Sequence, residues 1–92
     1  MSDGNTEQRE LIHEDIDAER NRQDAKWGFP QYNSPMEWAA ILSEECGECV
    51  KELNNFQLAG KRENFDKAMK EAIETAAVAV SIIEHAQSWI MK

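Results

Sequence analysis

Two interleaved motifs share the stretch SEECGECVKE, which runs from Ser43 to Glu52. Cys46 and Cys49 form a C-x-x-C pattern, which is typical of zinc sites and of redox-active thiols. Glu45 and Glu48 form an E-x-x-E pattern at the same spacing, and paired carboxylates suit acid–base chemistry or a divalent cation. The two motifs therefore predict different chemistry, and the elements that carry them help to distinguish the two.

The first two helices can be placed from their boundaries. One is predicted over about residues 6–26, where the sequence has neither Pro nor Gly. The stretch WGFPQYNSP then turns the chain. A second helix begins with Ser34 as N-cap and Pro35 at its first position, and Glu37 completes a capping box. We expect this helix to end at Gly60, a residue suited to the left-handed conformation of a helix end.

A third helix is predicted over about residues 64–91. Its segment AIETAAVAVSII, residues 72–83, is apolar around nearly the whole circumference, and such a helix is normally buried on every side. Two other helices of a 92-residue chain cannot enclose it, so we expect a partner subunit to do so. The predicted fold is all-α: one domain over residues 1–92, with residues 1–5 disordered. It is a small helical bundle with two long antiparallel helices that carry the acidic motifs, completed as a homodimer or homotetramer.

Several glutamates occupy positions where a helix usually places apolar side chains. Glu45 lies in the middle of the apolar stripe of the second helix and Glu48 lies at its border, while Glu71 and Glu74 repeat this geometry on the third helix. A glutamate that faces a core is costly unless its charge is paired or bound to a cation. Two antiparallel helices would bring the four carboxylates together, and such a cluster favours a hard cation, Mg²⁺, with Mn²⁺ as a substitute. The stripe itself comprises Trp38, Ile41, Leu42, Cys49, Leu53 and Phe56.

The cysteines lack the context that a thiol site normally has. A zinc site needs two more ligands, and the imidazoles of His13 and His85 are isolated in separate predicted helices. A redox C-x-x-C usually lies in a βαβ unit, whereas this one is expected in the middle of a helix. We therefore interpret Cys49 as a small core residue, and a cysteine-based metal-binding protein remains an alternative.

The residues around both acidic motifs carry a family resemblance. WAAILSEECGECVKEL followed by KEAIETAAVAVSIIE resembles the MazG-like, all-α nucleoside triphosphate pyrophosphohydrolases, especially the short phage-type members, whose signature is E-E-x-x-E, a spacer and E-x-x-D. Glu44, Glu45 and Glu48 match the first half, and Glu71 begins the second. Glu74 stands where the family has Asp. The segment ERNRQDAKWG is also similar to these members, so the resemblance covers most of the chain.

The resemblance implies hydrolysis of an NTP or dNTP between the α and β phosphates, which yields a nucleoside monophosphate and pyrophosphate. It implies Mg²⁺ ions bound by Glu45, Glu48, Glu71 and Glu74, and a water whose proton passes to Glu44 or Glu45. No covalent nucleophile is required. The candidate phosphate contacts are Lys26, Lys51, Lys67 and Lys70, and the candidate platforms for the base are Trp27 and Trp38.

The charge of the chain argues against other partners. Its 18 acidic and 10 basic residues give a net charge of −8, which repels both nucleic-acid backbones and anionic lipid. The N-terminus lacks the features of a signal peptide and no apolar run is long enough to span a bilayer, so we expect a cytoplasmic protein. A second class of function is a non-catalytic helical oligomerisation or interaction module with a degenerate nucleotide site.

Overall fold

Three long helices form most of the protein. The computed structural model describes residues 3–90. In chain order, α1 spans Asp3–Trp27, α2 spans Pro35–Ala59 and α3 spans Arg62–His85, and a 3₁₀ turn over Ala86–Trp89 follows. Residues 3–90 include no strand, so the prediction of an all-α, helical-bundle fold is confirmed. None of the helices within this range is long and apolar enough to cross a membrane.

The outer ends of α1 and α3 differ from the sequence prediction. α1 begins at Asp3, so residues 3–5, which were expected to be disordered, are helical; residues 1 and 2 lie outside the described range. α3 ends at His85, earlier than predicted, because the backbone N–H of Ala86 bonds to the carbonyl of Ile83 and tightens the chain into a 3₁₀ turn. Residue 91, the predicted end, lies outside the described range.

Both ends of α2 form as their sequence signals predict. The Glu37 backbone N–H donates to Ser34 Oγ at 3.2 Å, and the Ser34 N–H donates to Glu37 Oε1 at 2.8 Å. This reciprocal capping box satisfies two backbone donors and fixes where the helix starts. At the other end, Gly60 takes the left-handed conformation with φ of 66° and donates its N–H to the carbonyl of Phe56.

Gly47, inside α2, and Gly60, at its C-terminal end, are expected to respond to alanine in opposite directions. Gly60→Ala should lower the free energy of unfolding by about 1 kcal/mol, because a Cβ is unfavourable at positive φ. Gly47→Ala should raise it by about 0.5–1 kcal/mol, because Gly47 lies inside the helix and an added Cβ meets no atom within 4 Å. Urea denaturation of the two variants measures both values, and equal shifts of the same sign would contradict the assignment.

α2 and α3 form an antiparallel hairpin across the short connection at Gly60 and Lys61. Contacts between them join residues progressively farther from this turn on both helices, which is the pattern of an antiparallel pair. These contacts are Phe56 with Phe65 (ring centroids 5.6 Å apart), Glu45 O with Thr75 Oγ1 (3.2 Å) and Trp38 with His85 (ring centroids 5.3 Å apart). The hairpin therefore places the two acidic motifs opposite each other, as the sequence predicts.

α1 packs on α3 through a buried arginine. Arg20 is only 4% exposed, and its guanidinium donates to Glu84 Oε1 at 2.6 and 2.9 Å and to Asp24 Oδ1 at 2.7 Å. Three charge-assisted hydrogen bonds compensate the loss of water around the guanidinium. A second contact joins Gln23 Nε2 to the backbone carbonyl of Glu74 at 3.5 Å. These bonds hold α1 beside the acidic residues of α3.

The apolar core of the described residues is small. Its buried apolar side chains are Trp38, Ala68, Ala77 and Val78. Within the predicted all-round apolar segment, Ala77 and Val78 are buried but Ile83 is 72% exposed. Large apolar side chains elsewhere are also exposed, including Leu11 at 61% and Leu58 at 86%. One chain therefore buries α3 on part of its circumference, and the expected covering by a partner subunit stays a prediction.

Candidate metal and phosphate site

Three glutamates from the two antiparallel helices meet beside α1. Glu45 from α2 and Glu71 and Glu74 from α3 each offer a carboxylate oxygen, and these oxygens lie within 4.8 Å of one another. All three side chains are half-buried. Thr75 fixes the helices at this level, since its Oγ1 lies 2.7 Å from the carbonyl oxygen of Glu71 and 3.2 Å from that of Glu45. Glu74, which stands in place of the Asp in the family signature, thus reaches the cluster.

The side chain of Glu48 is exposed, but its negative charge acts on Glu45 and Glu71 of the cluster. The pKa of Glu71 is raised to about 7, first by burial and then by the charges of Glu74 and Glu48. Hydrogen bonding between the carboxyl groups of Glu71 and Glu48 contributes to this raised pKa of Glu71. The pKa of Glu45 is raised as well, first by burial and then by the charges of Glu48, Glu74 and Glu44. The site is therefore short of positive charge.

Two carboxylate oxygens of the cluster have no donor in the described part of the chain. Glu45 Oε2 and Glu71 Oε2 are buried and meet no hydrogen-bond partner there. A buried acceptor without a partner costs about 1–3 kcal/mol, and more when it is charged. A cation would satisfy both oxygens and offset the mutual repulsion of the glutamates. Because every ligand is a carboxylate oxygen, the donor set fits Mg²⁺ or Mn²⁺ and does not fit a thiolate-bound metal.

Mg²⁺ is expected to stabilise the protein more at pH 8 than at pH 6. The pKa of Glu71 is about 7 in the folded chain, above its ordinary value of 4.5, so the folded state binds more protons between these values. Without metal, stability should therefore fall as the pH rises from 4.5 to 7. A cation favours the ionised form, so its stabilising effect should grow over the same range. Differential scanning fluorimetry at both pH values, with and without millimolar Mg²⁺, measures the effect.

The matched control for this prediction is Glu71→Gln, which should lose most of the pH dependence of the Mg²⁺ effect. An equal melting-temperature shift by Mg²⁺ at pH 6 and pH 8 in the unmodified chain would contradict the assignment of a cation to this cluster.

Two adjacent clefts open beside the carboxylates. The first has a volume of about 190 Å³ and lies between α1 and the cluster. The second has a volume of about 340 Å³ and extends toward the start of α2 and the end of α3. Gln23, Trp27 and Glu45 border both clefts. The first is also lined by Glu19, Arg22, Lys26 and Glu74, and the second by Gln31, Asn33, Trp38, Ile41, Glu44, Val78 and Ser81.

Only some of the predicted substrate contacts border these clefts. Lys26 borders the first cleft, and its Nζ lies 4.8 Å from the centroid of the Trp27 ring, which is 64% exposed. Lys70 lies outside both clefts, with its Nζ 3.9 Å from Glu74 Oε1. Lys51 and Lys67 are exposed and border neither cleft. The cationic side chains that border the clefts therefore come from α1, whereas Lys70 of α3 contacts the cluster from outside them.

Trp38 differs from the expected base platform. It is only 3% exposed, and its ring packs on that of His85 in the core. Stacking a base on this ring would require core side chains to move. The exposed ring of Trp27 is the available platform.

Sequence reasoning did not assign a site role to Glu19, Gln23 or Arg22. Glu19 is 6% exposed, forms an ion pair with Arg22 and accepts a hydrogen bond from Gln23 Nε2 at 3.3 Å. The sequence did contain a hint for two of them, because Glu19 and Gln23 fall on the weakly apolar stripe of α1, where apolar side chains are usual. Arg22 carries no such signal, since an exposed arginine on a helix is common.

The cysteines gain no ligand partners. Cys46 is exposed and Cys49 is half-buried, and both are free. Over residues 3–90, the one group of three or more possible metal ligands is the glutamate trio. Both ring nitrogens of His85 already have partners and do not bind a metal with the cysteines. Nε2 accepts the Gln31 backbone N–H at 3.0 Å, and Nδ1 lies 2.7 Å from the Ser81 carbonyl oxygen.

In comparisons with known proteins, no family model, no curated protein and no solved structure matches this chain. What bears on its function is therefore the carboxylate geometry, the clefts beside it and the sequence motif that first pointed to these residues.

Proposed function

We propose that this chain is an Mg²⁺-dependent nucleoside triphosphate pyrophosphohydrolase, which cleaves an NTP or dNTP between the α and β phosphates. The observation that carries the proposal is the cluster of Glu45, Glu71 and Glu74, with two buried carboxylate oxygens that lack a hydrogen-bond donor. The order and spacing of the glutamates, which resemble the MazG-like signature, support the same activity. A cation bound at this cluster would also offset the repulsion between the acidic substrate and a chain of net charge −8.

The glutamates would bind the metal and manage the proton of the attacking water. Glu45, Glu48, Glu71 and Glu74 would hold Mg²⁺, which would neutralise the triphosphate and make the attacking water more acidic. The water oxygen forms a bond to the α phosphorus, the bond from that phosphorus to the α–β bridging oxygen breaks, and pyrophosphate leaves. The water proton passes to Glu45 or to Glu44, which borders the second cleft.

Cationic and aromatic groups of α1 would orient the substrate. Arg22 and Lys26 border the cleft next to the cluster, and this position supports assigning the β and γ phosphates to them. Trp27 is exposed and borders both clefts, so a base can stack on the ring face that Lys26 does not cover. We assign phosphate binding to these residues in preference to Lys51, Lys67 and Lys70.

The proposal includes a homo-oligomer, either a dimer or a tetramer. The exposed apolar side chains of all three helices support it, because the small core of a single chain leaves them in water. The same surface supports the second candidate function, a helical interaction module without catalysis. That alternative gives no reason for carboxylate oxygens to be buried without partners.

Product analysis tests the proposal directly. The protein is incubated with a panel of NTPs and dNTPs and Mg²⁺, and pyrophosphate and orthophosphate are assayed separately. We expect at least one triphosphate to yield pyrophosphate, with activity lost in EDTA and restored by Mg²⁺ or Mn²⁺. Glu48→Gln should lower the rate. Absence of turnover for every triphosphate, or release of orthophosphate alone, would exclude the proposed reaction and favour the interaction module.

A further inference from the structure

Two residues that line the second cleft, Trp38 and Ser81, carry buried polar atoms without a hydrogen-bond partner in the described residues. We infer that this cleft is a pocket that reads the edge of a nucleobase, with hydrogen bonds from the indole N–H of Trp38 and to or from the hydroxyl of Ser81. This inference rests on the proposed function, since the base belongs to the same triphosphate whose phosphates meet the glutamates. It assigns to Trp38 a hydrogen-bonding role in place of the stacking role expected from the sequence.

The two polar groups are buried and unpartnered within the described residues. Trp38 is 3% exposed and Ser81 is 1% exposed, and both line the second cleft. Trp38 Nε1 and Ser81 Oγ each lack a hydrogen-bond partner. Buried indole N–H groups and hydroxyls normally find partners, because leaving one unsatisfied costs about 1–3 kcal/mol. Both groups belong to residues that line one cleft, and a ligand there with matching polar atoms would satisfy them.

The chemistry of the remaining wall fits a neutral, planar, heterocyclic group. Trp27, Ile41 and Val78 supply apolar surface, while Gln31 and Asn33 supply uncharged amides. An indole N–H is only a donor, so it requires an acceptor on the ligand, such as a carbonyl oxygen or a ring nitrogen. A hydroxyl both donates and accepts, so Ser81 can pair with either type of neighbouring atom. Nucleobases present such edges.

The position of the cleft fits the base end of a nucleotide. Glu44 and Glu45 lie at one side, and Glu45 also belongs to the glutamate cluster. A ligand whose phosphates meet metal at the cluster would thus place its neutral end in the second cleft. The cleft has a volume of about 340 Å³, which is room for about ten waters at roughly 30 Å³ each. This is more space than the waters needed to satisfy Trp38 Nε1 and Ser81 Oγ would occupy.

The wall opposite the helices is held in place before any ligand arrives. Asn33 Nδ2 donates to Gln31 Oε1 at 3.1 Å, and the Gln31 backbone N–H donates to His85 Nε2 at 3.0 Å. Trp89 Nε1 donates to the Asn33 carbonyl at 3.4 Å. Pre-organised walls reduce the ordering cost of binding, so the pocket is suited to discriminate between bases.

Uncharged nucleosides test the inference without phosphates or metal. The full chain, labelled with ¹⁵N, is titrated with adenosine, guanosine, cytidine and uridine. The Trp38 indole N–H signal and the backbone amide signals are followed by NMR, and the backbone signals report the affinity of Trp38→Phe. We expect at least one nucleoside to shift the Trp38 indole signal. Ser81→Ala and Trp38→Phe should each weaken that nucleoside's affinity about 10-fold, the loss expected for one hydrogen bond. Ser43→Ala, at an exposed position of α2 outside the cleft, is the matched control and should leave the affinity unchanged.

The outcomes separate this inference from the proposed hydrolysis. If no nucleoside shifts the Trp38 signal, or if Ser81→Ala binds as tightly as the unmodified chain, the base-reading pocket is wrong even where triphosphates are cleaved. If a nucleoside binds as described but no triphosphate is cleaved, the pocket stands and the hydrolase proposal fails. Ser81→Ala keeps the test decisive if Trp38→Phe does not fold.

Discussion

Glu45→Gln is expected to lower kcat/KM for triphosphate cleavage by about 10³-fold, the upper range for removing one group that stabilises a transition state. Glu45 borders both clefts, belongs to the glutamate trio and carries one of the two buried oxygens without a donor. Glutamine keeps the size of the side chain but removes the charge that binds the cation. A pyrophosphate-release assay at saturating Mg²⁺ measures the loss.

Two controls separate a catalytic effect from unfolding. Glu63→Gln, at an exposed position in the first turn of α3, should retain full activity. Without metal, the melting temperature of Glu45→Gln should equal or exceed that of the unmodified chain, because burial and neighbouring charges penalise the Glu45 carboxylate. Activity of Glu45→Gln within about 10-fold of the unmodified chain would remove Glu45 from the proposed centre.

Trp38→Ala is expected to lower the free energy of unfolding by about 3–5 kcal/mol, the usual cost of truncating a buried aromatic side chain. Trp38 is by far the largest of the buried apolar residues, whose other members are Ala68, Ala77 and Val78. Its ring packs on that of His85, whose contacts with Gln31 and Ser81 hold the imidazole in place, so a cavity should remain where the indole was. Urea denaturation followed by circular dichroism measures the change.

Trp27→Ala is the matched control for this truncation. Trp27 is 64% exposed, so its removal should cost less than about 1 kcal/mol while it weakens substrate binding. Equal destabilisation by the two substitutions would mean that Trp38 does not anchor the core as its burial indicates.

The boundaries of α2 could be predicted because local signals determine them. Ser34 and Glu37 cap each other within one helical turn, and Gly60 needs only its own missing Cβ to adopt a left-handed conformation. The end of α3 could not be predicted in the same way. No Gly or Pro marks His85, and the 3₁₀ turn after it depends on backbone bonds that leave no sequence signature.

The carboxylate cluster could be predicted because glutamates interrupt apolar stripes on two helices. Glu45, Glu71 and Glu74 meet as the antiparallel pairing requires. Lys26 and Trp27 of α1 were named from the sequence, but the position of Arg22 could not be foreseen, because the placement of α1 is set by the buried Arg20, whose partner Glu84 is distant in sequence. Arg22 was therefore missed.

The same limit affected the predicted aromatic and lysine contacts. A helical stripe shows that Trp38 faces inward, but it does not show whether the ring meets a ligand or the core. Lys51 and Lys67 were candidates by charge alone, and charge does not reveal which side of the bundle a lysine occupies. The covering of α3 by a second subunit stays a prediction, since a single chain leaves Ile83 and its neighbourhood open.

From the pairing of α2 with α3 we also expect an order of assembly that begins at the turn. Phe56 and Phe65 flank the turn at Gly60, so they can meet after closing a very short loop. Each later contact then extends a hairpin that is already closed at one end, and the entropic cost of each step is small. The two acidic motifs meet midway along the α2–α3 hairpin, and we expect them to do so before Trp38 reaches His85. Mutual repulsion of the glutamates should therefore oppose closure of the hairpin halfway along its length, and a cation that binds there would accelerate closure as well as stabilise the folded state.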